Sequence, residues 1–187
     1  MTAFPSLTIT ESIPDVTADE RADRLASAGS AWAQRIDTDP TTARLTYRVR
    51  GTGAGAVATA VRAGGHEFVV DEPAALAGDD TGASPVEYAL GALISCQVVV
   101  YRLYAHALGI QVDDIRVDAE GDLDARRLFG IDESVRPGFT AVRLTVSLEG
   151  PESQERYEEL RRVVDEHCPV FDLFANPTPI DVTVRKA

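Results

Sequence analysis

The chain has 187 residues, of which 44% are hydrophobic and 26% charged, and its formal net charge is −12. This length and composition fit a globular domain with a real core. The acidic excess argues against nucleic acid and anionic membrane surfaces as partners, because both attract clustered Lys and Arg. The first 21 residues lack the basic and apolar regions of a signal peptide, so we expect a cytoplasmic protein.

The N-terminal region is predicted to be an extended arm, residues 1–17, followed by a helix from Thr17 to Ile36. Thr17 and Glu20 have the spacing of a capping box, and apolar residues recur at helical spacing from Leu25 onward. The turn-forming stretch DTDPTT follows. We therefore expect an N-terminal arm and helix over residues 1–40 and a second domain over residues 41–187.

Three short strands are predicted next, as an antiparallel meander. Alternating residues from Leu45 to Gly51 indicate the first, GTGAG a turn, and the segments around Gly64–Gly65 the other two. No Gly-Lys-Ser/Thr follows GTGAG, so it is not a phosphate loop. In the acidic loop at 71–83, Asp79 and Asp80 are either metal ligands or part of a solvated turn. We favour the turn, because the spacing matches no EF-hand.

The segment from Ser84 to Gly109 predicts a long helix. Ser84 is a good N-cap, Pro85 suits the first helical position, Glu87 completes a capping box and Gly109 is a plausible stop. The helix is apolar nearly all round, so we expect it to be packed from several sides. Polar residues interrupt it and favour a buried helix over a membrane span: Ser95, Gln97, Arg102 and His106.

The rest of the chain predicts an α+β fold. Strands are expected at 110–124 and 140–150, separated by a long excursion at 125–139. An amphipathic helix at 151–168, a short helical turn and a last strand, Ile180 to Lys186, complete the chain. The order is βββ-α-ββ-α-β after the N-terminal helix, with antiparallel runs rather than alternating βαβ units.

The two cysteines, Cys96 and Cys168, are 72 positions apart, so neither a CxxC redox motif nor zinc-ligand spacing applies. Cys96 lies among apolar helix neighbours, where it is either core filler or a thiol held in a dry pocket. Cys168 precedes Pro169 and is expected at the N-terminus of the following helical turn, where a thiolate is favoured. A small residue at a tight helical corner explains Cys168 equally well.

Three stretches together resemble the OsmC/Ohr family of osmotically induced and organic hydroperoxide resistance proteins. They are DEP at 71–73, GDDTGASPVEYALGALISC at 78–96 and CPV at 168–170. The segment GDLDARRLFGIDESVRPGF resembles the connection between two strands in one branch of that family. The likeness covers about residues 42–187, so the second domain is expected to be OsmC-like.

This resemblance implies an intertwined homodimer with the two long helices at its centre. It also implies a peroxidase that uses no cofactor. Cys96 would attack an organic hydroperoxide and become a sulfenic acid, and Cys168 would resolve it to a disulfide that an external dithiol reduces. Such a cycle requires the two Cα atoms to come within about 4.4–6.8 Å.

The sequence departs from the family pattern around the activating residues. In the well-known branches a glutamate ten residues before the first cysteine cooperates with an arginine, but Val86 stands there. Glu87, nine residues before, should face away from Cys96, and we interpret it as a helix cap. No arginine lies between Glu72 and Cys96, which leaves Arg48, Arg50 and Arg62 on the early strands as candidates or as members of a solvated strand face.

Two functions therefore remain open at the level of sequence. The first is thiol-dependent reduction of organic hydroperoxides through Cys96 and Cys168. The second is a non-catalytic dimeric module that binds an apolar small molecule, with cysteines that are structural or redox-sensing. The cysteine pair favours the first function, and Val86 favours the second.

Overall fold

The computed structural model describes residues 13–186, which divide into two compact units, one up to Thr42 and one from Ala43 onward. The first unit contains helix α1, Ala18–Thr38. Thr17 caps it, and both bonds of the predicted capping box with Glu20 are present. The part of the predicted arm at residues 1–12 lies outside the described residues.

The second unit begins with a three-stranded antiparallel sheet, which confirms the predicted meander. Its strands are β1 (Val49–Ala54), β2 (Ala58–Ala63) and β3 (His66–Val70), in the order β1-β2-β3. The first strand was predicted to start at Leu45, and this is wrong. Leu45 and Tyr47 precede the ladder, which pairs Val49 with Ala63 and continues through the glycine-rich stretch that was predicted as a turn.

The loop after β3 is organised by the buried carboxylate of Asp71. It accepts hydrogen bonds from the backbone N–H groups of Glu72, Asp79 and Thr81 and from the Thr81 hydroxyl. These bonds hold the pKa of Asp71 below its usual range, with the Thr81 N–H as the largest cause. A Cβ at Gly78 would collide with the Glu72 carbonyl oxygen, so this turn requires glycine.

Helix α2, Pro85–Leu108, begins and ends as the sequence predicts. Ser84 and Glu87 form both capping-box bonds, and Gly109 ends the helix in the left-handed conformation. By length and composition alone, α2 is long and apolar enough to cross a membrane. Its buried side, however, packs on the following strand and two later helices, as in the core of a globular domain.

One side of α2 is not covered by any of residues 13–186, so within this part of the chain the expectation of packing from several sides is wrong. The exposed residues form a stripe along the helix, which we call the α2 stripe: Ala92, Ser95, Val99, Leu103 and His106. Val99 is 57% exposed and Leu103 40%. An apolar stripe of this kind is unusual on the surface of a lone chain.

A long hairpin and two helices complete the unit. Strands β4 (Asp114–Leu123) and β5 (Phe139–Glu149) pair antiparallel around the predicted excursion, and helices α3 (Gln154–His167) and α4 (Pro169–Ala175) follow. The α+β class is thereby confirmed. The main core lies where α2, β4, α3 and α4 meet, and its buried members are Val100, Tyr101, Ala105, Ile110, Val112, Leu160, Val164 and Cys168.

The predicted last strand, Ile180 to Lys186, is not formed within the described residues. Its pattern alternates as a strand should, but a strand needs a partner and this segment has no ladder. The side chains of Ile180, Val182 and Val184 are 81–91% exposed. The alternation therefore has no intrachain sheet on which to bury its apolar face.

Replacing the Asp71 carboxylate tests the loop. We expect Asp71→Asn to lower the melting temperature at pH 7, because an amide cannot accept all four bonds of the carboxylate. A lowered pKa stabilises the fold above the ordinary value of about 3.9 and loses that effect as pH falls through the folded value. The difference from wild type, measured by circular dichroism, should therefore shrink below about pH 4.

Asp80→Asn is the matched control. Asp80 is an exposed carboxylate of the same loop, and its positive φ of 56° is one that Asn tolerates. An equal loss of stability in both variants would contradict a special role for Asp71.

Candidate functional site: a pair of thiols between three helices

Cys96 lies near the middle of α2, at the border between the buried side of the helix and the α2 stripe. It is half-buried and packs against the core cluster. The sequence suggested a thiol in the most buried part of the chain. The structure instead places this sulfur beside an uncovered surface, where a reagent can reach it.

Cys168 lies at the corner between α3 and α4. It ends α3, caps α4, and has the extended backbone (φ −83°, ψ 110°) that a residue before proline prefers. Its side chain is 2% exposed and belongs to the core. The corner that Pro169 imposes therefore turns this thiol inward toward α2.

Both thiols are free, and Cys96 packs against the core cluster to which Cys168 belongs. Burial is the main cause that raises the pKa of Cys168. The neighbouring Cys96 raises it further, while the N–H groups of Phe171 and Val170 partly oppose the change. The expected thiolate at this helix start is therefore wrong for the reduced protein, because burial favours the protonated Cys168 thiol.

The three arginines suggested as activating residues lie on the first sheet and its approach. Arg62 forms an exposed ion pair with Glu67, its cross-strand neighbour, and Arg50 lies opposite Arg62 in the ladder. Arg48 is exposed just before β1. No arginine is among the groups that affect the Cys168 thiol in residues 13–186.

Glu87 is a helix cap, as predicted. Its carboxylate accepts from the Ser84 backbone N–H at 2.7 Å and from the Ser84 hydroxyl at 2.6 Å. These bonds hold the pKa of Glu87 below its usual value, with the Ser84 hydroxyl as the larger cause. The carboxylate is thus engaged at the start of α2, more than two turns from Cys96.

The remaining sequence candidates have structural surroundings. Across residues 13–186, no group of three or more His, Cys, Asp or Glu side chains is arranged to hold a metal ion. Asp79 and Asp80 take part in the Asp71 loop through their backbones. The His167 ring contacts the Tyr104 ring in a tilted arrangement, with 4.5 Å between ring centroids, and its Nδ1 lies 2.7 Å from the Val163 carbonyl oxygen.

One feature beside the thiols was not predicted from the sequence. Gln97 and Tyr101 lie on the buried side of α2 and line a cavity against β5. In the sequence, Gln97 is merely one of the polar residues that interrupt an apolar helix. The missed signal is that a fully buried carboxamide needs a partner.

Within this α+β fold, a half-buried cysteine on a long helix packs against the core cluster that contains a second cysteine 72 positions later. A family model described as OsmC-like protein matches residues 78–183, which is more than half of the chain. The chain belongs to this OsmC-like family. A search of curated proteins finds no match.

Solved structures share the fold. An OsmC-like protein from Mycoplasma pneumoniae is similar with a TM-score of 0.62 at 17% identity, covering 70% of this chain and 88% of the other. An organic hydroperoxide resistance protein from Legionella pneumophila gives a TM-score of 0.55 at 20% identity, covering 70% and 89%. The organic hydroperoxide resistance protein OhrB of Bacillus subtilis gives 0.50 at 24%, covering 69% and 90%.

The different environments of the two sulfurs predict different rates of alkylation. We expect iodoacetamide at neutral pH to modify Cys96 before Cys168, because Cys168 is buried and its pKa is raised. A raised pKa means that Cys168 becomes reactive only in more alkaline solution. Mass mapping of the two cysteine peptides against time and pH measures both rates.

Denatured protein is the control, and there the two rates should converge. Faster labelling of Cys168 in the folded protein would contradict the assignment of the exposed and buried thiols.

Proposed function

We propose that this OsmC-like protein reduces organic hydroperoxides with its two thiols. The observation that carries the proposal is that the half-buried Cys96 packs against the core cluster that contains the buried Cys168. Structural cysteines that serve as small core residues have no need to meet. A peroxidase whose cycle passes through a disulfide requires them to meet.

The environments assign different roles to the two thiols. Cys96 borders the uncovered α2 stripe, so a substrate can approach it, and it is the peroxidatic residue. Cys168 is 2% exposed and keeps its proton, so it is the resolving residue.

In the first step the Cys96 thiolate attacks the distal oxygen of the hydroperoxide. A sulfur–oxygen bond forms, the O–O bond breaks, and the alkoxide takes a proton to leave as the alcohol. Sulfur is oxidised to the sulfenic acid and the peroxide is reduced. The apolar surroundings of Cys96 suit a hydroperoxide with a hydrocarbon group.

In the second step the Cys168 sulfur attacks the Cys96 sulfenic acid. A disulfide forms and the oxygen leaves as water, which prevents further oxidation of Cys96. An external dithiol then reduces the disulfide by exchange and becomes a disulfide itself. Such a cycle belongs in a reducing compartment, so we place the protein in the cytoplasm.

The working form is proposed to be a homodimer. The α2 stripe, the unpaired C-terminal segment and the first sheet all leave apolar side chains uncovered within one chain. A second copy can bury the stripe against its own α2, which is an isologous contact. The same contact would close the open side of Cys96.

The proposed cycle needs a cation beside Cys96. The first sheet carries Arg50 beside Arg62, with a single opposite charge, Glu67, in the same cross-strand row. Arg48 extends this positive surface at the approach to β1. We propose that this sheet supplies the cation when two copies assemble.

A second function has one observation in its favour. Glu87 caps α2 and Val86 occupies the position of the family glutamate, so the usual carboxylate is missing beside the thiol. A non-catalytic module that binds an apolar small molecule would retain the fold without that residue. In that module the thiols would be structural or would sense oxidants.

Intact mass after one equivalent of cumene hydroperoxide separates the two functions. We expect reduced protein to lose two hydrogens, and a dithiol to reverse the loss, because Cys96 packs against the core cluster that contains Cys168. Cys96→Ser should abolish the reaction. Cys168→Ser should gain one oxygen as a trapped sulfenic acid after a single turnover.

The two serine variants are each other's controls, since each removes one thiol of the same pair. An unchanged wild-type mass would sink the peroxidase proposal and leave the binding module.

Leu103→Glu tests the homodimer. The change puts a carboxylate in the middle of the α2 stripe, and we expect it to raise the dimer dissociation constant by about tenfold or more, because a buried unpaired charge is costly. Analytical ultracentrifugation measures the constant. Arg162→Glu alters the charge of an exposed residue on α3 and should leave the constant unchanged. Wild type that sediments as a monomer would refute the dimer.

A further inference from the structure

A cavity of about 720 Å³ lies between β5 and the helices α2, α3 and α4. Its volume is within the range of small-molecule sites in proteins. Alternate residues of β5 form an apolar wall, and α4 adds aromatic rings: Val142, Leu144, Val146, Leu148, Phe171 and Phe174. Neither cysteine lines it, so it is a different space from the surroundings of the thiols.

The buried side of α2 contributes a polar group to this apolar cavity. Gln97 is 1% exposed, and its Nε2 has no hydrogen-bond partner. Leaving such a donor unpaired costs free energy, and it is the single unpartnered buried side-chain atom found in residues 13–186. The Gln97 Nε2 group is therefore a candidate donor to a bound ligand.

Tyr101 lies one helical turn beyond Gln97 and lines the same cavity. Burial is the main cause that raises the pKa of its phenol, and nearby Asp165 adds to the effect. The phenol therefore remains protonated at neutral pH. Gln97 and Tyr101, two residues with neutral hydrogen-bond donors, therefore line the same cavity.

The charges at the rim argue for an uncharged ligand. Arg161 pairs with Glu158 and Asp165, so its charge is already matched. Burial raises the pKa of Asp165, which means that a further carboxylate beside it would be disfavoured. Arg136 is the other cation among the lining residues. The rim thus has no net positive charge to hold an anion.

We propose that this cavity binds an uncharged, largely hydrocarbon molecule whose carbonyl-type oxygen accepts a hydrogen bond from Gln97. The apolar wall of β5 and the rings of α4 contact the hydrocarbon part, and the carboxamide orients the oxygen. The site is independent of the peroxidase cycle and does not rest on it. It differs from a hydroperoxide site at Cys96 in both lining residues and polar group.

Benzophenone is a suitable probe, because it is an uncharged aromatic ketone that cross-links to nearby C–H groups on illumination. We expect labelling of the full-length protein, in its native oligomeric state, to map to peptides of α2, β5 and α4. Diphenylmethane has the same two rings without the carbonyl oxygen. As a competitor it should bind more weakly than unlabelled benzophenone.

Gln97→Leu supplies the matched variant. It should weaken benzophenone binding about fivefold to tenfold, the effect of one hydrogen bond, while the affinity for diphenylmethane changes less than twofold. The variant should fold at least as stably as wild type, because it removes an unpaired buried donor. As a second variant, Leu144→Trp should fill the cavity and block both probes.

Three results would overturn the site. One is labelling that maps to peptides outside α2, β5 and α4, which is the result expected if a second copy of the chain fills the cavity. Equal effects of Gln97→Leu on both probes would reduce the carboxamide to a structural role. Loss of benzophenone binding in the Cys96→Ser/Cys168→Ser variant would mean that the cavity and the thiol site are not independent. Retained binding together with a failed peroxidase assay would support the cavity as a separate site.

Discussion

The packing of α2 against α3 and α4 is the constraint on which the rest of the second unit depends. The buried side of α2 joins Val100, Tyr101 and Ala105 to Leu160 and Val164 of α3 in one core. This contact brings the middle of α2 to the corner before Pro169. Helix packing therefore determines where both thiols lie.

The two sides of helix α2 have different roles. Its buried side holds the core and the unpaired carboxamide of Gln97, its uncovered side carries the α2 stripe, and Cys96 lies on the border between them. A residue on such a border can be close to a buried partner and remain accessible. Periodicity alone does not reveal this border, because nearly every residue on α2 is apolar.

The sequence was most informative where structure is local. The capping boxes at Thr17 and Ser84 marked both helix starts, and Gly64–Gly65 marked the β2–β3 turn, because these signals act within four residues. The strand predictions were wrong at Leu45 and from Ile180 onward, because the alternating apolar residues there have no partner strand within the described residues. The thiol pairing was expected solely from the family resemblance. The cavity was not expected, since four separate elements enclose it.

The two small sheets affect how a newly synthesised chain is exposed to aggregation. Within the described residues, β1, β3, β4 and β5 are all edge strands, each with a row of unsatisfied backbone groups on one side. The backbone groups of an open edge can pair with a strand of any other chain, so exposed edges promote aggregation. Stability that comes from covering them with a second copy would depend on chain concentration. Synthesis rate and local crowding of nascent chains would then decide whether these edges find a correct partner or a wrong one.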